Sequence, residues 1–396
     1  MGILRSSTVS PANMTRRARI LHLSCDFPDA LVAAKTPAVA NLVRAADAFD
    51  HFVYSLNRVS WRRGIEAVPF ADNRVAVAYG APPKGILLTV FLDRLAAFLL
   101  ADIARRSLTF DVTHAHKLTI EGLVGERIAD RLGVPFVCGI WGNTDAKLVR
   151  LRPDLRHRWR RVAAKARLLL PAAPWATDAL ERLLALDRTK VVPLPIMPTH
   201  DRLMRSAVTT PSLISVFNLD HWRNKGAAAL VDAVARLRRK EPHLALDIFG
   251  GGGSRAIREA GRIIERAQAG AFVRLRGPLP NERVIETLNQ YAALAMPSRR
   301  ETFGLVYVEA LFAGIPVLFS RGRGIDGYLP AEAIGYACNP RDQADIETGL
   351  HHLLRNQQRL KQSIGELQAS GGLNAFTVAG IVRTYEAAIS RALAGD

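Results

Sequence analysis

Glu301 and Glu309 are the residues of this sequence whose type and spacing point most directly to chemistry. They lie in the stretch SRRETFGLVYVEALFAGIPVLF (298–319), with seven residues between them and a Phe303-Gly304 pair after the first. Glu301 follows an apolar run that is typical of a buried strand, and Glu309 lies within a helical run that Gly314 ends. The pattern predicts one carboxylate at the end of a strand and the other on the helix that follows.

Backbone amides between the two glutamates are suited to an anion. Gly304 lets the backbone approach a ligand closely, and the amides of Phe303, Gly304 and Leu305 lie at the start of the helix. A nucleotide sugar needs this combination, with one carboxylate for hexose hydroxyls, amides for phosphates and a second carboxylate for the ribose diol.

Two other interpretations of the glutamates stay open. A glycosidase also uses two carboxylates, about 5–5.5 Å apart for retention or about 6.5–9.5 Å apart for inversion, and the sequence spacing does not exclude it. A glycosidase, however, has no need for an anion site between its acids. The structural alternative is a pair of acids that contact only neighbouring arginines.

Composition predicts a globular protein of two domains in a reducing cytosol. The chain has 396 residues, of which 49% are hydrophobic and 23% charged, and its formal net charge is +18. Its three cysteines, Cys25, Cys138 and Cys338, lie in or beside apolar runs and are too few for a disulfide framework. No membrane span or secretory signal is expected, because the most apolar stretch, 85–104, contains three charged residues and residues 1–19 lack an apolar segment.

Short apolar runs alternate with helical patterns from residue 19, which predicts parallel βαβ units in two series. Strands of the first series are predicted at 19–24, 51–56, 111–116, 135–140, 167–172 and 190–195, with helices that include 37–48, 120–132 and 175–186. A polar linker is predicted at 195–212. Strands of the second series are predicted at 213–219, 244–250, 272–277, 291–298, 316–320 and 334–339. In two doubly wound halves, ligands are expected at the carboxyl ends of the strands, in the crevice between the halves.

The stretch from Pro297 to Ser320 resembles the E-x7-E signature of the GT-B glycosyltransferases of family 4, which are retaining nucleotide-sugar enzymes. The resemblance is strong over 213–340 and fainter from about residue 18 to that point. It implies an α/β GT-B fold in which two Rossmann-like domains face each other across a cleft. The implied parts are a disordered basic extension (1–18), an acceptor-side domain (19–200), a donor-binding domain (201–375) and a C-terminal helix that crosses back to the first domain (376–396).

The resemblance also implies roles for individual donor-site residues. Glu301 is expected to contact the donor hexose and Glu309 the ribose hydroxyls, while residues 303–305 supply amides to the sugar and diphosphate. The glycines that begin GGGGSR (250–255) lack the spacing of a dinucleotide fingerprint and are expected near the nucleotide instead. The full set of expected donor-binding residues is Glu301, Thr302, Phe303, Gly304, Leu305, Glu309, Gly250, Gly251, Pro278 and Leu279.

Lys225, Arg223 and Glu301 are the expected catalytic residues. The stretch 215–255 is similar to the family's strand, Lys-Gly loop and helix, and Lys225 matches the family's lysine. The family's arginine aligns with Asn218, so Arg223 is expected to take its place. A departing nucleoside diphosphate carries negative charge, and with no metal or other cofactor expected, fixed cations and helix N-termini must stabilise it.

Acceptor-side candidates in the first half are His116, Trp141, Gly142 and Asp145. Many family members carry His-Gly where this chain has Trp141-Gly142, so the histidine's contact with the donor sugar is not transferred to Trp141. His116 ends a predicted strand at the ligand edge, where a lone histidine is more often structural. The family's glycine-rich loop after the first strand is replaced by DALVAAKTPA (29–38), which has no glycine.

Residues 151–167 form a basic cluster with seven Lys and Arg against Asp154 alone. Three interpretations stay open: a helix lying on anionic lipid, at about 1 kcal/mol per basic residue, a site for an acidic or pyrophosphate-linked acceptor, or a solvated helix face. The apolar residues interleaved with the basic ones are Leu151, Leu155, Trp159, Val162, Ala163 and Ala166. Nucleic acid is not an expected partner, because no recognised binding module is present.

The sequence therefore predicts a retaining, metal-independent hexosyltransferase that uses a nucleotide sugar such as a UDP- or GDP-sugar. The expected acceptor is a glycan or polyprenyl-linked molecule of bacterial exopolysaccharide, lipopolysaccharide or related cell-surface polysaccharide biosynthesis. The expected location is the cytoplasm, peripheral on the inner face of the cytoplasmic membrane. The alternatives are a nucleotide-sugar-binding protein without transferase activity and a basic nucleic-acid-binding α/β protein.

Overall fold

The computed structural model describes residues 16–33, 35–82, 85–206 and 210–395. Over these ranges the chain forms two α/β domains, each built around its own sheet. The predicted extension falls mostly outside the described residues, and residues 16–18 form no helix or strand.

The first domain is built on seven strands, six of them in parallel contact. The strands are β1 (Arg19–Ser24), β2 (Asp50–Val59), β3 (Glu66–Ala71), β4 (Arg74–Gly80), β5 (Val112–Ala115), β6 (Phe136–Ile140) and β7 (Leu168–Pro171). Their order in the sheet is β3-β4-β2-β1-β5-β6-β7, and only the β3-β4 pair is antiparallel. The helices are α1 (Ala38–Ala45), α2 (Leu88–Arg105), α3 (Glu121–Leu132), α4 (Asn143–Leu151), α5 (Arg156–Lys165) and α6 (Pro174–Leu184).

The second domain has an entirely parallel six-stranded sheet. Its strands are β8 (Ser212–Val216), β9 (Ala245–Phe249), β10 (Val273–Gly277), β11 (Ala293–Ala295), β12 (Val317–Ser320) and β13 (Gly335–Cys338), in the order β10-β9-β8-β11-β12-β13. The helices are α7 (Ala227–Leu237), α8 (Ser254–Arg266), α9 (Val284–Leu288), α10 (Leu305–Phe312), α11 (Ala331–Ile334), α12 (Gln343–Arg355), α13 (Gln357–Ala369) and α14 (Val378–Ala394).

In each sheet the order in which successive strands are added reverses at one place. The reversal falls between β1 and β5 in the first sheet and between β8 and β11 in the second. Loops at such a point diverge on the carboxyl side and leave a crevice, which is where open α/β sheets bind ligands. The fold therefore directs attention to the segments that follow β1, β5, β8 and β11.

The strand predicted at 190–195 is wrong. Residues 188–190 form a single 3-10 turn, and only Val191 makes an isolated bridge, to Leu169. Pro193 and Pro195 lack the N–H groups that a paired strand would donate. The β3-β4 hairpin, in turn, was not predicted from the sequence.

The last helix, α14, packs on the first domain. Its residues Ile381, Tyr385 and Ile389 are buried in one apolar cluster with Ile20 and Val112 of β1 and β5. The phenol of Tyr385 also lies 3.2 Å from His114 Nδ1. The two domains are therefore tied at the back by the end of the chain.

Helix α5 does not present an apolar face to the surroundings, contrary to the lipid-facing interpretation of 151–167. Of the six interleaved apolar residues only Leu151 is exposed, because the other five pack into the first domain. The basic side chains point outward, and Arg161 and Lys165 pair with Glu126 at 3.1 and 3.2 Å. In the described parts of the chain, no helix combines the length and the apolar character that crossing a bilayer requires.

The packing of α14 gives a stability test. Ile389→Ala should lower the free energy of unfolding by about 2–5 kcal/mol, because it leaves a cavity between α14 and the first sheet. Ser390→Ala, at the neighbouring exposed position, should change it by less than about 0.5 kcal/mol. Urea unfolding followed by circular dichroism measures both, and equal stability of the two variants would show that α14 does not contribute its burial to folding.

Candidate active site

Lys225 and Glu301 form an ion pair at the point where the second sheet reverses. Lys225 follows β8, Glu301 follows β11, and the Lys225 ammonium donates to Glu301 Oε2 at 2.5 Å. The Glu301 carboxylate also accepts from the backbone N–H of Thr302 at 3.2 Å. Glu301 is buried and Lys225 is half-buried, so the pair is partly shielded from water.

The loop that carries Lys225 is pressed against the segment that carries Glu301. Gly226 has φ +70°, and a Cβ there would overlap the carbonyl oxygen of Pro297. The backbone N–H groups of Arg299 and Arg300 both donate to Asn224 O, at 2.7 and 3.2 Å. Because the backbones meet this closely, the positions of Lys225 and Glu301 are set by main-chain contacts rather than by long side chains alone.

The amides before α10 are available to a ligand. Gly304 has φ +77° and caps the helix, and Phe303 is buried against Tyr328 and Phe376. Among the described residues, the N–H groups of Phe303, Gly304 and Leu305 have no acceptor. These amides and the positive end of the helix dipole form an anion site next to Glu301.

Glu309 lies one turn into α10 in a poorly solvated position. Burial raises the pKa of Glu309 to about 7. A ligand hydroxyl that donates to this carboxylate would favour its charged form, since hydrogen bonds to the charged form lower a carboxyl pKa. A diol bound at this position would therefore lower the pKa of Glu309.

The predicted nucleotide-side residues come together at the carboxyl ends of β9 and β10. Gly250 N–H donates to Gly277 O at 2.7 Å, and Gly251 O accepts from Leu219 N–H at 2.8 Å. Gly251 approaches Pro278, and Leu279 follows it. These four predicted residues thus form one rim beside the loop that leads to Lys225.

Arg223 is not part of the Lys225–Glu301 pair. Its side chain is exposed, and its guanidinium lies 4.9 Å from the centre of the Trp222 ring. Asn218, which stands at the expected arginine position, instead accepts from Asp220 N–H through its side chain at 2.8 Å. A role for Arg223 in charge stabilisation stays a prediction.

On the first domain, Asp145 is a positioning residue rather than an open acceptor contact. It is fully buried, and it accepts from Thr119 N–H, Thr119 Oγ1 and Trp141 N–H at 3.0, 2.7 and 2.9 Å. Burial raises the pKa of Asp145, although these hydrogen bonds oppose the rise. Its carboxylate holds the turn at Trp141, and a role for Asp145 on the acceptor side stays a prediction.

Trp141 and Gly142 shape the acceptor side. Trp141 is half-buried, with the Lys117 ammonium 5.5 Å from the centre of its ring and His116 packed edge-on at 6.5 Å. Gly142 has φ +68° and lies against the Trp175 ring. His116 is buried, and its Nε2 lies 3.0 Å from His22 Nδ1.

The glycine-free loop 29–38 is held from inside by Asp29. The Asp29 carboxylate accepts from Lys35, Ser55 and Asn57 at 2.8, 2.5 and 2.8 Å. Burial tends to raise its pKa, but these hydrogen bonds prevail and lower it to about 2. Polar side chains thus hold Asp29 and Lys35 of this loop against β2.

Sequence reasoning missed the residues that close the cleft. Asn143 Nδ2 donates to Thr302 Oγ1 at 3.1 Å, and Trp175 Nε1 donates to Thr302 O at 2.9 Å. Arg323 stacks on Trp175 at 4.8 Å. Trp175 follows β7 directly, so its place at a strand end was the available signal.

Thr302 is the place where the two domains meet at the site. Its N–H contacts Glu301, while its side chain and carbonyl contact the first domain. The donor-side loop is therefore bound to both halves of the molecule.

The comparisons with known proteins agree with this geometry. Residues 205–367 match the family model "Glycosyl transferases group 1". The sucrose-phosphate synthase of Thermosynechococcus elongatus superposes with a TM-score of 0.71 over 96% of this chain and 100% of its own, at 17% identity. Over residues 205–367 the second domain is therefore similar to the group 1 glycosyltransferases, and the chain has the GT-B fold.

Further similarity extends the group 1 match in both directions. A D-inositol 3-phosphate glycosyltransferase from Nocardia farcinica is 31% identical over 42% of this chain and 38% of its own length. One from Thermobifida fusca is 24% identical over 80% of this chain and 79% of its own length. The Anabaena protein HepE, solved in complex with UDP and glucose, gives a TM-score of 0.65 over 94% of this chain and 100% of its own, at 15% identity.

The raised pKa of Glu309 gives a pH test. The folded carboxyl holds its proton up to about pH 7, whereas the unfolded one loses it near its ordinary value. Between these two pH values the folded state binds more protons, so the free energy of unfolding falls as pH rises. The expected fall in the free energy of unfolding is roughly 1–3 kcal/mol. Glu309→Gln should remove it, as measured by urea unfolding at a series of pH values between about 4 and 7.

Glu282→Gln, at an exposed position, is the matched control and should follow the wild-type pH profile. A wild-type profile that is parallel to that of Glu309→Gln would contradict the buried, protonated Glu309.

Proposed function

We propose that this protein is a retaining glycosyltransferase that moves a hexose from a nucleoside-diphosphate sugar to a glycan or lipid-linked acceptor. The observation that carries the proposal is the Lys225–Glu301 pair at the reversal point of the second sheet, beside backbone amides that donate to no acceptor among the described residues. This arrangement offers a cation, an anion and N–H donors within one cleft. A nucleotide sugar has complementary phosphates and hydroxyls.

In this proposal the donor replaces the internal ion pair with its own groups. The diphosphate accepts hydrogen bonds from Lys225 and from the amides of residues 303–305, while the hexose hydroxyls donate to Glu301. The ribose diol donates to Glu309, and the base lies against the rim that Gly250, Gly251, Pro278 and Leu279 form. HepE was solved with UDP and glucose on the same fold, so UDP-glucose is the first donor to test.

The proposed reaction occurs on one face of the sugar. The bond from the anomeric carbon to the diphosphate oxygen breaks, and the acceptor oxygen forms its bond on the same face. The acceptor's proton passes to the departing phosphate oxygen. Lys225 and the helix start stabilise the charge on the diphosphate, so no enzyme nucleophile or metal is required at this site.

A phosphate-bearing acceptor is favoured by the charge around the cleft. Burial lowers the pKa of Arg323, and the nearby guanidinium groups of Arg150, Arg341 and Arg300 lower it further. Clustered cations are costly without an anion among them. The relatives from Nocardia farcinica and Thermobifida fusca are named D-inositol 3-phosphate glycosyltransferases, and a polyprenyl-linked acceptor also carries phosphate. The expected pathway is the assembly of a bacterial cell-surface polysaccharide.

A nucleotide-sugar-binding protein without transfer is the second candidate. Asn218 at the arginine position and the exposed Arg223 favour it, because only Lys225 then neutralises the diphosphate directly. Binding without turnover would decide for this candidate.

The donor role of Lys225 can be measured by calorimetric titration with UDP, GDP and ADP and their glucose derivatives. Lys225→Ala should weaken binding of the preferred nucleotide by roughly tenfold or more, since a charge-assisted hydrogen bond contributes about 1.5–3 kcal/mol. Lys240→Ala removes an exposed lysine of the same domain and should bind as the wild type does. If no nucleotide binds wild type, or if both variants bind equally, the donor site is not at Lys225.

We further propose that the first domain docks on an anionic membrane through an exposed hydrophobic patch of Ile86, Leu87, Val90 and Leu151. Ile86, Leu87 and Leu151 are 57%, 61% and 64% exposed. Arg152 donates to Gly85 O at 2.5 Å and so joins the two segments.

Exposed basic residues lie within one helical turn of the patch. Arg94 follows Val90 on α2, and Lys147 and Arg150 precede Leu151 on α4. Apolar side chains ringed by cations suit an acidic bilayer surface, which attracts each Lys or Arg by about 1 kcal/mol.

Flotation with vesicles of phosphatidylcholine, alone or mixed with phosphatidylglycerol, tests the patch. The wild type should float only with the anionic vesicles. The double variant Leu87→Asp, Leu151→Asp should lose at least about tenfold in binding, because two leucines that would enter the bilayer surface are replaced by charged residues. Leu203→Asp changes an exposed leucine elsewhere and should float as the wild type does. Equal flotation with both vesicle types, or of all three proteins, would contradict the proposal.

A further inference from the structure

Four histidines lie together on the face of the first sheet that α14 covers. His22 on β1 and His114 on β5 are direct register partners, and His116 follows two residues later on the same face. His51 on β2 lies beside them, and the surrounding cluster is otherwise apolar. His22, His114 and His116 are 0%, 1% and 3% exposed. The donor site that is proposed above does not include these three buried histidines.

The hydrogen bonds fix which nitrogen of each ring carries a proton. His51 Nε2 lies 2.6 Å from Ala46 O, and a carbonyl can only accept, so His51 Nε2 is a donor and its Nδ1 an acceptor. His22 Nε2, 2.9 Å from His51 Nδ1, must then donate. This leaves a lone pair on His22 Nδ1, directed at His116.

That chain of contacts is the arrangement that holds a metal-binding histidine. A ligating imidazole donates its remote N–H to an oriented acceptor, which fixes the tautomer and leaves the other nitrogen free for the metal. His51, which donates to Ala46 O, is the oriented acceptor for the Nε2–H of His22. His114 is oriented similarly by the Tyr385 hydroxyl, 3.2 Å from its Nδ1.

The distances fit a shared ion. One ring nitrogen of each of His22, His114 and His116 lies within 4.8 Å of the others, and His22 Nδ1 and His116 Nε2 are 3.0 Å apart. Two nitrogens at about 2.0–2.1 Å from a tetrahedral zinc are separated by roughly 3.3 Å. Small ring rotations therefore bring the three ligand nitrogens to this separation. In the metal-bound form the proton of His116 is on Nδ1, which frees Nε2 to bind the ion.

We propose that His22, His114 and His116 form a transition-metal site of the zinc class inside the first domain. Three imidazoles select Zn²⁺ or a similar ion rather than Mg²⁺ or Ca²⁺, which prefer oxygen. A water within the adjoining cavity of about 30 Å³, which His114 and His116 line, can supply the fourth ligand. The metal has a structural role, because it joins β1 to the end of β5 beneath α14, next to the Trp141 side chain that packs on His116. It is separate from the donor site and takes no part in the transfer step.

Cobalt titration of untagged, chelator-treated full-length protein tests the site. Co²⁺ substitutes for Zn²⁺ in such sites and gives visible absorption bands when its coordination is tetrahedral. The wild type should take up one Co²⁺ per chain with these bands, Zn²⁺ should displace it, and the thermal midpoint should rise. Absence of stoichiometric binding by the wild type would overturn the proposal and leave a hydrogen-bonded chain of neutral histidines.

Variants locate the ion. His22→Ala and His116→Ala should each abolish the tetrahedral bands, and His51→Ala should keep the bands with an affinity roughly 10–100-fold weaker. His221→Ala, at an exposed position, is the control and should titrate as the wild type does. Unchanged bands in His116→Ala would place the ion elsewhere and refute the site. If His22→Ala does not fold, His116→Ala and the wild-type titration still decide.

Nucleotide binding by the metal-loaded and chelated protein separates this proposal from the proposed function. Metal uptake without nucleotide binding would leave the site standing and reject the donor cleft, and the converse result would reject the metal site alone.

Discussion

The contact between Lys225 and Glu301 is the interaction on which the arrangement of the cleft depends. It joins the ends of β8 and β11, the two neighbouring strands between which the second sheet reverses. Taking two charges partly out of water is costly, and removing one partner leaves the other uncompensated. A ligand that brings a phosphate for the lysine and hydroxyls for the glutamate can replace both partners at once. This constraint favours a phosphorylated sugar over a neutral glycan as the molecule that binds here.

The same loop couples the pair to the first domain. Thr302 contacts Glu301 through its N–H and reaches Asn143 and Trp175 across the cleft. At the back of the molecule, α14 forms a second connection through Tyr385 and its apolar neighbours. The segment that carries Glu301 is therefore in contact with residues on both sides of the cleft.

Much of the fold follows from local patterns, because buried parallel strands and amphipathic helices leave strong periodic signals. Eleven of the twelve predicted strands match strands of the structure, and Glu301 lies at a strand end with Glu309 on the next helix, as their spacing predicted. The β3-β4 hairpin was missed, since its outer strand is only partly buried and carries no continuous apolar run.

The roles of Asp145 and of helix α5 were beyond the sequence for another reason. Whether a carboxylate faces a cleft or holds a turn depends on partners distant in the chain, here Thr119. Likewise, an amphipathic helix shows the same pattern whether its apolar face meets lipid or its own domain, and α5 meets its own domain. The histidine cluster combines strands separated by about ninety residues, so no local motif announces it.

The anomeric configuration of the product tests the central claim most directly. With the preferred α-linked nucleotide sugar, an acceptor and a chelator in the buffer, proton NMR of the newly formed glycosidic bond reports its stereochemistry. The account predicts an α-linked product formed without added divalent metal, and substitution of Lys225 should suppress its formation. A β-linked product, or transfer that requires a divalent ion, would contradict stabilisation of the departing diphosphate by Lys225 and the start of α10.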